Sequence, residues 1–237
     1  MKKCKLCLIM MIVCMSACHK TVDAPAAGEI MTLQLYKDGK PASNVSTPGD
    51  NYTYATVVAV LDSTIVDTTN AVSFTTDAGT FSNGTASVSA KIDLHGKAYA
   101  YLKSASILTA HVQATVGSNN VQNIDVPFST SWPDKLLINL PATASDTFTN
   151  RITITATLKK NMGMPSAGFE LGFYATDTSG KPKGSFNNIT LSDSDGNVSV
   201  QYWLQDSMYK NFITIKGFLV RSPGDSIIGI NKMLFTK

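Results

Sequence analysis

The cysteines are the residues of this sequence whose type and placement bear most directly on chemistry. The chain has 237 residues, and its four cysteines lie at positions 4, 7, 14 and 18. A thiol can be acylated, form a disulfide or bind a metal ion as the thiolate. Because no cysteine follows Cys18, we expect neither a disulfide nor a thiolate metal site beyond it. The fold must therefore be stabilised by its own apolar core.

Cys18 ends a segment that has the pattern of a secretory leader. Three lysines precede an apolar stretch at positions 6–15, and Ser16 and Ala17 are small. A basic start, a short apolar stretch and small residues before a cleavage point are typical of a signal peptide. The run Met15-Ser16-Ala17-Cys18 resembles a bacterial lipobox, although the first position of a lipobox is usually Leu. The resemblance implies cleavage before Cys18 and a covalent lipid on its thiol.

The residues after Cys18 predict a tether. Residues 19–29 contain Pro25 and Gly28 and show no apolar period, which is typical of a flexible linker. Each buried methylene contributes about 0.8 kcal/mol, so stable attachment takes more than one acyl chain. We predict a signal peptide over residues 1–17 and a lipidated cysteine with its tether over 18–29. The expected location is the outer membrane, with the leaflet left open; ordinary secretion with a coincidental cysteine is the alternative.

Residues that could carry catalysis are few and scattered. The three histidines are His19, His95 and His111, and no two of them have the spacing of metal ligands. The sequence contains no G-x-S-x-G elbow, no H-E-x-x-H motif and no glycine-rich phosphate loop. Glu29 and Glu170 are its only glutamates, although a carboxylate pair for glycoside hydrolysis stays open. We expect no enzyme and no cofactor; a hydrolase is the least favoured hypothesis.

A pair of Asp-Gly motifs predicts tight turns. The segment 193–197 (DSDGN) begins like a calcium loop, but Leu204 stands where that loop places its glutamate ligand. We interpret the segment as a hairpin turn and expect neither calcium nor another metal ion there. In each turn an aspartate can accept backbone N–H bonds and a glycine can adopt a positive φ. The predicted turn residues are Asp93 with Gly96 and Asp193 with Gly196.

Aromatic residues at outward strand positions are the candidate ligand contacts. In residues 97–103 (KAYAYLK) the alanines and the leucine alternate with Tyr99 and Tyr101. If the small apolar residues face the core, the tyrosines face solvent. The same alternation in residues 197–204 predicts that Trp203 faces outward. Exposed aromatic rings stack on sugars or anchor protein contacts, while cross-strand pairing on a solvated face is the structural alternative.

Composition and charge exclude further classes of protein. Hydrophobic residues make up 43% and charged residues 16% of the chain, which is typical of a folded domain. No apolar run reaches the roughly 18 residues of a membrane-spanning helix. The formal net charge is +3, but without the three leader lysines 17 basic and 17 acidic residues remain. We therefore expect no nucleic-acid partner.

Short alternating runs predict an all-β chain. Residues 53–61, 71–75, 109–116 and 151–158 are rich in β-branched and aromatic residues, with Gly, Asn, Asp, Ser and Pro clusters between them. Strands of this length at this spacing are typical of a sandwich or barrel.

The chain also repeats itself at an offset of about 99 to 107 residues. AVSFT (residues 71–75) matches ELGFY (170–174), and TAHVQATV (109–116) matches ITIKGFLV (213–220). We predict two tandem domains over residues 30–131 and 132–237, each of the usual size of an immunoglobulin-like sandwich.

The first repeat resembles the invasin/intimin type of bacterial Ig-like repeat. The resemblance is carried by VSFTTDAGTFSNG (residues 72–84), DLHGKAYAYLKS (93–104) and AHVQATVG (110–117). In the second repeat TSGKPKGSF (178–186) replaces the DAGTFSNG stretch, and Val198 stands where the family prefers Ala. The resemblance implies two Ig-like β-sandwiches that serve as a rigid stalk. Invasins and intimins also carry an outer-membrane barrel and a terminal lectin-like domain, so adhesion does not follow directly.

Two functions from different classes agree with these patterns. The first is a non-enzymatic, lipid-anchored envelope protein whose Ig-like domains form a stalk or a protein-binding and adhesion module. The second is a carbohydrate-binding accessory lipoprotein of a glycan-uptake system, which would use Trp203, Tyr99 and Tyr101 as its platform. Both predict attachment to a membrane through the lipid and a protein or glycan partner.

Overall fold

The structure is a computed structural model that describes residues 30–62, 71–117, 120–145, 151–204, 206 and 208–236. In these residues the chain forms eighteen β-strands. They assemble into four sheets, two of five strands and two of four. Each pair of sheets encloses its own apolar core, and the two cores run from Ile30 to Phe128 and from Leu136 to Phe235. The expected boundary at residues 131 and 132 falls between these two cores.

Domain 1, the first sandwich, contains ten strands. One sheet has the order β2-β1-β4-β8-β6 and the other the order β3-β10-β9-β5-β7. The strands are β1 (Met31–Lys37), β2 (Lys40–Pro41), β3 (Thr47–Pro48), β4 (Ala55–Leu61), β5 (Ala71–Thr76), β6 (Thr80–Phe81), β7 (Ser87–Lys91), β8 (Lys97–Lys103), β9 (Thr109–Val116) and β10 (Asn120–Ser129).

Domain 2, the second sandwich, contains eight strands. Its sheets have the orders β11-β13-β16-β15 and β12-β18-β17-β14. The strands are β11 (Lys135–Asn139), β12 (Thr143–Ser145), β13 (Ile152–Lys159), β14 (Gly172–Thr176), β15 (Ser185–Asn187), β16 (Asn197–Trp203), β17 (Phe212–Ser222) and β18 (Asp225–Thr236).

Alternation of apolar and polar residues positions the strands over their cores. In β9, Ala110, Val112 and Ala114 are fully buried while the residues between them are exposed or half-buried. Because successive strand residues point to opposite faces, a period of two buries one face and leaves the other in water. The predicted inward residues are buried in both domains: Ala98, Ala100 and Leu102 in β8, and Val198, Val200, Tyr202 and Leu204 at β16.

The two sandwiches share one topology, as the internal repeat predicts. In domain 1, Phe74 on β5 pairs with Ala114 on β9, and Ala114 pairs with Gln122 on β10. In domain 2, Phe173 pairs with Gly217, and Gly217 pairs with Gly229. In both domains a short early strand also pairs in parallel with the last strand, as β3 with β10 and β12 with β18. Two sheets packed face to face with this strand order are the arrangement of Ig-like domains.

The copies differ at two sheet edges and in one core layer. In domain 1, β2 lies beyond β1, whereas the described part of domain 2 has no strand beyond β11. In domain 1, β7 covers the outer edge of β5, whereas in the described part of domain 2 no strand occupies the matching edge of β14. Gly217 and Gly229 hold inward positions, and a Cβ on either would meet the side chains of Leu136 and Ile138 on β11. The two glycines therefore let β11 approach the opposite sheet closely.

Candidate interaction surfaces

The lipidation site predicted at Cys18 lies outside the residues that the structure describes, as do the signal peptide and the whole tether. The described part of the chain begins at Ile30, whose side chain is buried in the core of domain 1. The lipid on Cys18 therefore stays a prediction.

The two predicted turns have the same geometry. Asp93 Oδ1 accepts the backbone N–H groups of His95 at 2.8 Å and Lys97 at 2.9 Å. Asp193 Oδ1 accepts those of Asp195 at 2.9 Å and Asn197 at 2.8 Å. Gly96 and Gly196 have φ values of 72° and 79°, a region in which glycine is favoured. Each carboxylate thus serves as an acceptor within its turn.

Hydrogen bonding affects the acidity of the Asp193 carboxyl in the turn of domain 2. The backbone N–H of Asn197 lowers the pKa of Asp193 below its ordinary value, and the N–H of Asp195 adds to the effect against the opposing effect of desolvation. Donors that bind the ionised form of a carboxylate stabilise that form. Asp193 is therefore held ionised to a lower pH than a free aspartate.

The candidate tyrosines lie on the outer face of the β2-β1-β4-β8-β6 sheet. Tyr101 is 44% exposed, and Tyr99 is half-buried. The ring of Tyr99 meets that of Tyr36 edge-on, with centroids 6.4 Å apart. Val58 lies opposite Tyr99 on β4 and is fully buried although it points to the outer face. Tyr99 is thus part of a tyrosine-lined surface, and its ring takes part in cross-strand packing.

Trp203 lies in the other sandwich. It is half-buried at the end of β16, opposite Ser185 on β15. Strands β8 and β16 occupy matching places in their respective domains. The three predicted contact residues therefore belong to two separate sheets, and the structure does not join them into one platform.

His111 is the centre of a polar cluster on the outer face of domain 1. Its Nδ1 lies 2.7 Å from Asp125 Oδ1, and its Nε2 lies 4.0 Å from Asp77 Oδ2. The side chains are largely exposed. The hydrogen bond with Asp125, together with the negative charge of Asp77, raises the pKa of His111 above its ordinary value. The cluster therefore favours the charged form of the imidazole.

A buried polar contact lies where the two domains meet, and Asp50 is at its centre. The Asp50 side chain is 2% exposed, and its Oδ1 accepts the N–H groups of Tyr52 and Thr53 at 2.9 and 2.7 Å. Its Oδ2 lies 3.8 Å from Lys160 Nζ of domain 2. The carbonyl of Asp50 accepts the N–H of Met164, also in domain 2, at 2.8 Å. One residue of domain 1 thus holds two residues of domain 2.

The connector between the domains adds three hydrogen bonds to the same loop of domain 2. Ser131 is fully buried; its N–H donates to Ser166 Oγ at 2.9 Å, and its hydroxyl donates to the Met164 carbonyl at 2.8 Å. The N–H of Ser166 donates to the Ser131 carbonyl at 3.0 Å. Buried hydrogen bonds of this kind fix backbone orientation because breaking one leaves an unsatisfied group.

Close packing at this junction requires a glycine. Gly163 has a φ of 81°, and a Cβ added to it would lie 2.6 Å from the Asp50 carbonyl oxygen and 2.9 Å from Tyr52 Cβ. Together these contacts define a docked junction between the sandwiches.

Two surveys of the described residues complete the picture of the surface. No group of three or more His, Cys, Asp or Glu side chains among them is arranged to hold a metal ion. No helix within the same residues is long and apolar enough to cross a membrane.

Comparison with known proteins defines the fold. No protein-family model and no curated protein matches the chain. Among solved structures it is similar to invasin, a bacterial integrin-binding protein, with 21% identity over 87% of this chain and a TM-score of 0.59. It is also similar to the Yersinia pseudotuberculosis adhesin InvE, with 16% identity over 90% of this chain and a TM-score of 0.50. The fold of invasin-type tandem Ig-like domains, predicted from the sequence, is confirmed.

The chain corresponds to only part of these proteins. It spans 39% of the invasin chain and 62% of the InvE chain. At such identities the likeness concerns the fold alone.

Sequence reasoning missed the junction residues. Asp50 and Gly163 lie far apart in the chain, and neither belongs to a recognisable motif. Two local signals were available. In Gly49-Asp50 the aspartate can form an Asx-type turn, and in Met162-Gly163 the glycine can adopt a positive φ. Each marks a backbone that must bend sharply. Such a signal identifies a turn without showing what it touches.

Proposed function

We propose that the chain is a non-enzymatic, lipid-anchored protein of the cell envelope whose two Ig-like domains form a stalk or a protein-binding and adhesion module. The observation that carries the proposal is the docked junction. Asp50 and Ser131 hold the two sandwiches together through buried hydrogen bonds and an ion pair. Gly163 permits their close approach. A short connector with satisfied polar contacts restricts relative motion, so a surface at one end is presented at low entropic cost.

Lipid attachment at Cys18 supplies the base of such a stalk. The tether after Cys18 would give the folded part freedom to orient at the membrane, while two or three acyl chains give stable attachment. The fold likeness to invasin and to the adhesin InvE supports an envelope location and a role in adhesion or spacing. Neither likeness identifies a partner.

Metabolic labelling with a radioactive fatty acid tests the anchor. The full-length chain is expected to incorporate label, and Cys18→Ser is expected to lose it, with Cys14→Ser as the matched control that keeps it. Equal labelling of wild type and Cys18→Ser would contradict the anchor. Protease treatment of intact cells, with a periplasmic protein as control, then distinguishes the leaflets. Digestion favours adhesion or glycan capture, whereas protection favours a scaffold in the periplasm.

A second candidate, carbohydrate binding, is favoured by the tyrosine-lined face of domain 1. Tyr101 and Tyr54 are exposed there, and Lys103 Nζ lies 5.7 Å from the centre of the Tyr54 ring. Exposed rings flanked by polar groups suit stacking on sugars. A glycan array with wild type and Tyr101→Ala tests this function. Binding that disappears in Tyr101→Ala would support it, and the absence of any bound glycan would contradict it.

A further inference from the structure

The outer face of the β12-β18-β17-β14 sheet in domain 2 is apolar and exposed. Ile228 and Ile230 are 58% and 57% exposed, Val220 is 53% exposed and Tyr174 is 43% exposed. Phe218, half-buried, lies opposite Ile228, so these side chains form a continuous patch across three strands. We call the surface formed by Tyr174, Phe218, Val220, Ile228 and Ile230 the β17–β18 face. Contiguous apolar patches of this kind mark interaction sites.

The fold itself does not require this apolar face, because domain 1 has polar residues in most of the same places. The registers of the two domains relate Ile228 to Val121 on β10 and Ile230 to Asn123. They relate Phe218 to Thr115 on β9 and Tyr174 to Thr75 on β5. Two copies of one sandwich thus carry opposite chemistry on the same surface. The difference indicates a role for the face that domain 2 alone performs.

The β17–β18 face is also built flat at its centre. A Cβ on Gly172 would collide with the ring of Phe218, so the absence of a side chain at Gly172 lets that ring lie over β14. A ring that lies along the sheet, beside two isoleucines, presents a level surface that suits another sheet face better than a deep groove would.

Charge is distributed unevenly along the face. Lys216, opposite both Tyr174 and Ile230, and Lys232, opposite Thr214, give one end a positive charge. The other end is the β17–β18 hairpin, where Arg221 binds Asp225 at 3.1 Å. The exposed Glu170, two residues before Gly172, lies toward this hairpin end. The face therefore has a basic end and an end that carries carboxylates.

We propose that the β17–β18 face is an interface that pairs with the same face of a second copy of this chain. In an isologous pair, residues near the two-fold axis contact the same residues of the second copy. Residues at one end of the face contact those at the other end of the second copy's face. With the axis near Phe218 and Ile228, the lysine end of each copy meets the carboxylate end of the other. A second copy thus satisfies both the apolar centre and the charge pattern.

In-cell disulfide cross-linking tests the pairing with the full-length chain. Because the sequence has no cysteine after Cys18, Ile228→Cys introduces a single thiol near the expected axis. Mild oxidation should yield a disulfide-linked dimer of twice the mass of the chain. Val121→Cys, at the matching position of domain 1, should yield none, and the unaltered chain gives the background from Cys18. Equal dimer from both variants, no dimer from Ile228→Cys, or an adduct of another mass would overturn the proposal.

Three further measurements keep the proposal testable if the cysteine variant folds poorly. Sedimentation of the unaltered, detergent-solubilised chain should give a dimer, and a monomer at all concentrations would overturn the pairing. Tyr174→Thr with Ile230→Asn, which copies the residues of domain 1, should abolish the dimer without lowering the melting temperature. Lys216→Glu should weaken the dimer, and adding Glu170→Lys should restore it; failure of that rescue would contradict the two-fold arrangement.

Discussion

At the scale of single residues, the His111 cluster shows how a solvated sheet face acquires a pH-dependent contact. Asp125 lies directly opposite His111 in the β9–β10 register. Asp77 follows β5, and its Oδ1 also accepts the N–H of His111 at 2.8 Å. One histidine thus ties three consecutive strands of the sheet order together.

We expect domain 1 to lose stability as the pH rises through neutrality. The pKa of His111 is raised in the folded state by its hydrogen bond to Asp125 and by the charge of Asp77. A raised folded pKa contributes stability that is fully present below the unfolded value of about 6.5 and is lost as pH rises through the folded value. Thermal unfolding between about pH 5.5 and 8.5 should show a steeper decline for wild type than for His111→Gln.

The partner variant provides the control for this prediction. Asp125→Asn should flatten the pH dependence in the same way, and His111→Gln should add little once Asp125 is gone. A pH profile that is unchanged in both variants would show that the cluster does not contribute to folding.

A second residue-level prediction concerns the core of domain 2. Val200 is fully buried and pairs with Ile154 on β13. Val200→Asp places an unpaired carboxylate in that core, a change that costs several kcal/mol or neutralises the acid. We expect loss of the cooperative unfolding transition of domain 2 by circular dichroism. Ser199→Asp, on the exposed side of the same strand, is the control; cooperative melting of Val200→Asp near wild type would contradict the strand register.

At the scale of elements, the same D-x-x-G turn occurs three times in the part of the chain that the structure describes. The third copy begins at Asp177, whose Oδ1 accepts the N–H groups of Ser179 and Lys181, and it contains Gly180 with a φ of 83°. Sequence reasoning identified the turns at Asp93 and Asp193 from the repeat but passed over this one. The same residue pattern is present at Asp177. The first repeat has no D-x-x-G counterpart at the expected offset, so the repeat gave this turn no support.

We expect Gly196→Ala to destabilise domain 2 more than Gly180→Ala. Both glycines have positive φ, and an L-residue there costs roughly 1–2 kcal/mol. A Cβ on Gly196 would in addition lie 2.6 Å from the Leu158 carbonyl oxygen, whereas a Cβ on Gly180 would meet nothing within 4 Å. Denaturant unfolding of the two variants measures the difference, and equal losses would show that the backbone contact is unimportant.

How far the sequence predicts the fold depends on how regularly apolar and polar residues alternate along each strand. The inward residues of β8 and β16 could be predicted because polar and apolar residues alternate there without interruption. The apolar outer face of domain 2 could not, because Gly217 and Gly229 occupy inward positions while Ile228 and Ile230 point outward. A simple period of two then fails to distinguish core from surface. Strands of two residues, such as β3 and β6, are too short to show any period.

At the scale of the whole molecule, the junction decides whether the two sandwiches move as one. Its contacts through Asp50 join residues more than a hundred positions apart, so no local pattern in the sequence could reveal them. The candidate contact residues did not depend on such contacts: the predicted domain bounds already placed Trp203 in the second sandwich, and the alternation of β8 predicted that Tyr101 points outward.

We expect Gly163→Ala to loosen the junction while leaving both sandwiches folded. The added methyl group would meet the Asp50 carbonyl and Tyr52, and the positive φ would be strained as well. Small-angle X-ray scattering should show a broader distribution of sizes than for wild type. Gly168→Ala is the matched control, since Gly168 also has a positive φ but a Cβ there would meet nothing within 4 Å. Identical scattering from the two variants would contradict a docked junction.

The parallel pairing of β3 with β10 and of β12 with β18 gives both sandwiches a mechanical property. Thr47 and Pro48 pair with Phe128 and Ser129 at the end of domain 1, and residues 143–145 pair with residues 234–236 at the end of domain 2. When a chain is pulled from both ends, two parallel strands slide past each other, and their hydrogen bonds bear the load together in shear. Bonds loaded together resist more than bonds that open one after another. A partner that pulls on the far end of this molecule would therefore meet resistance to unfolding in each domain.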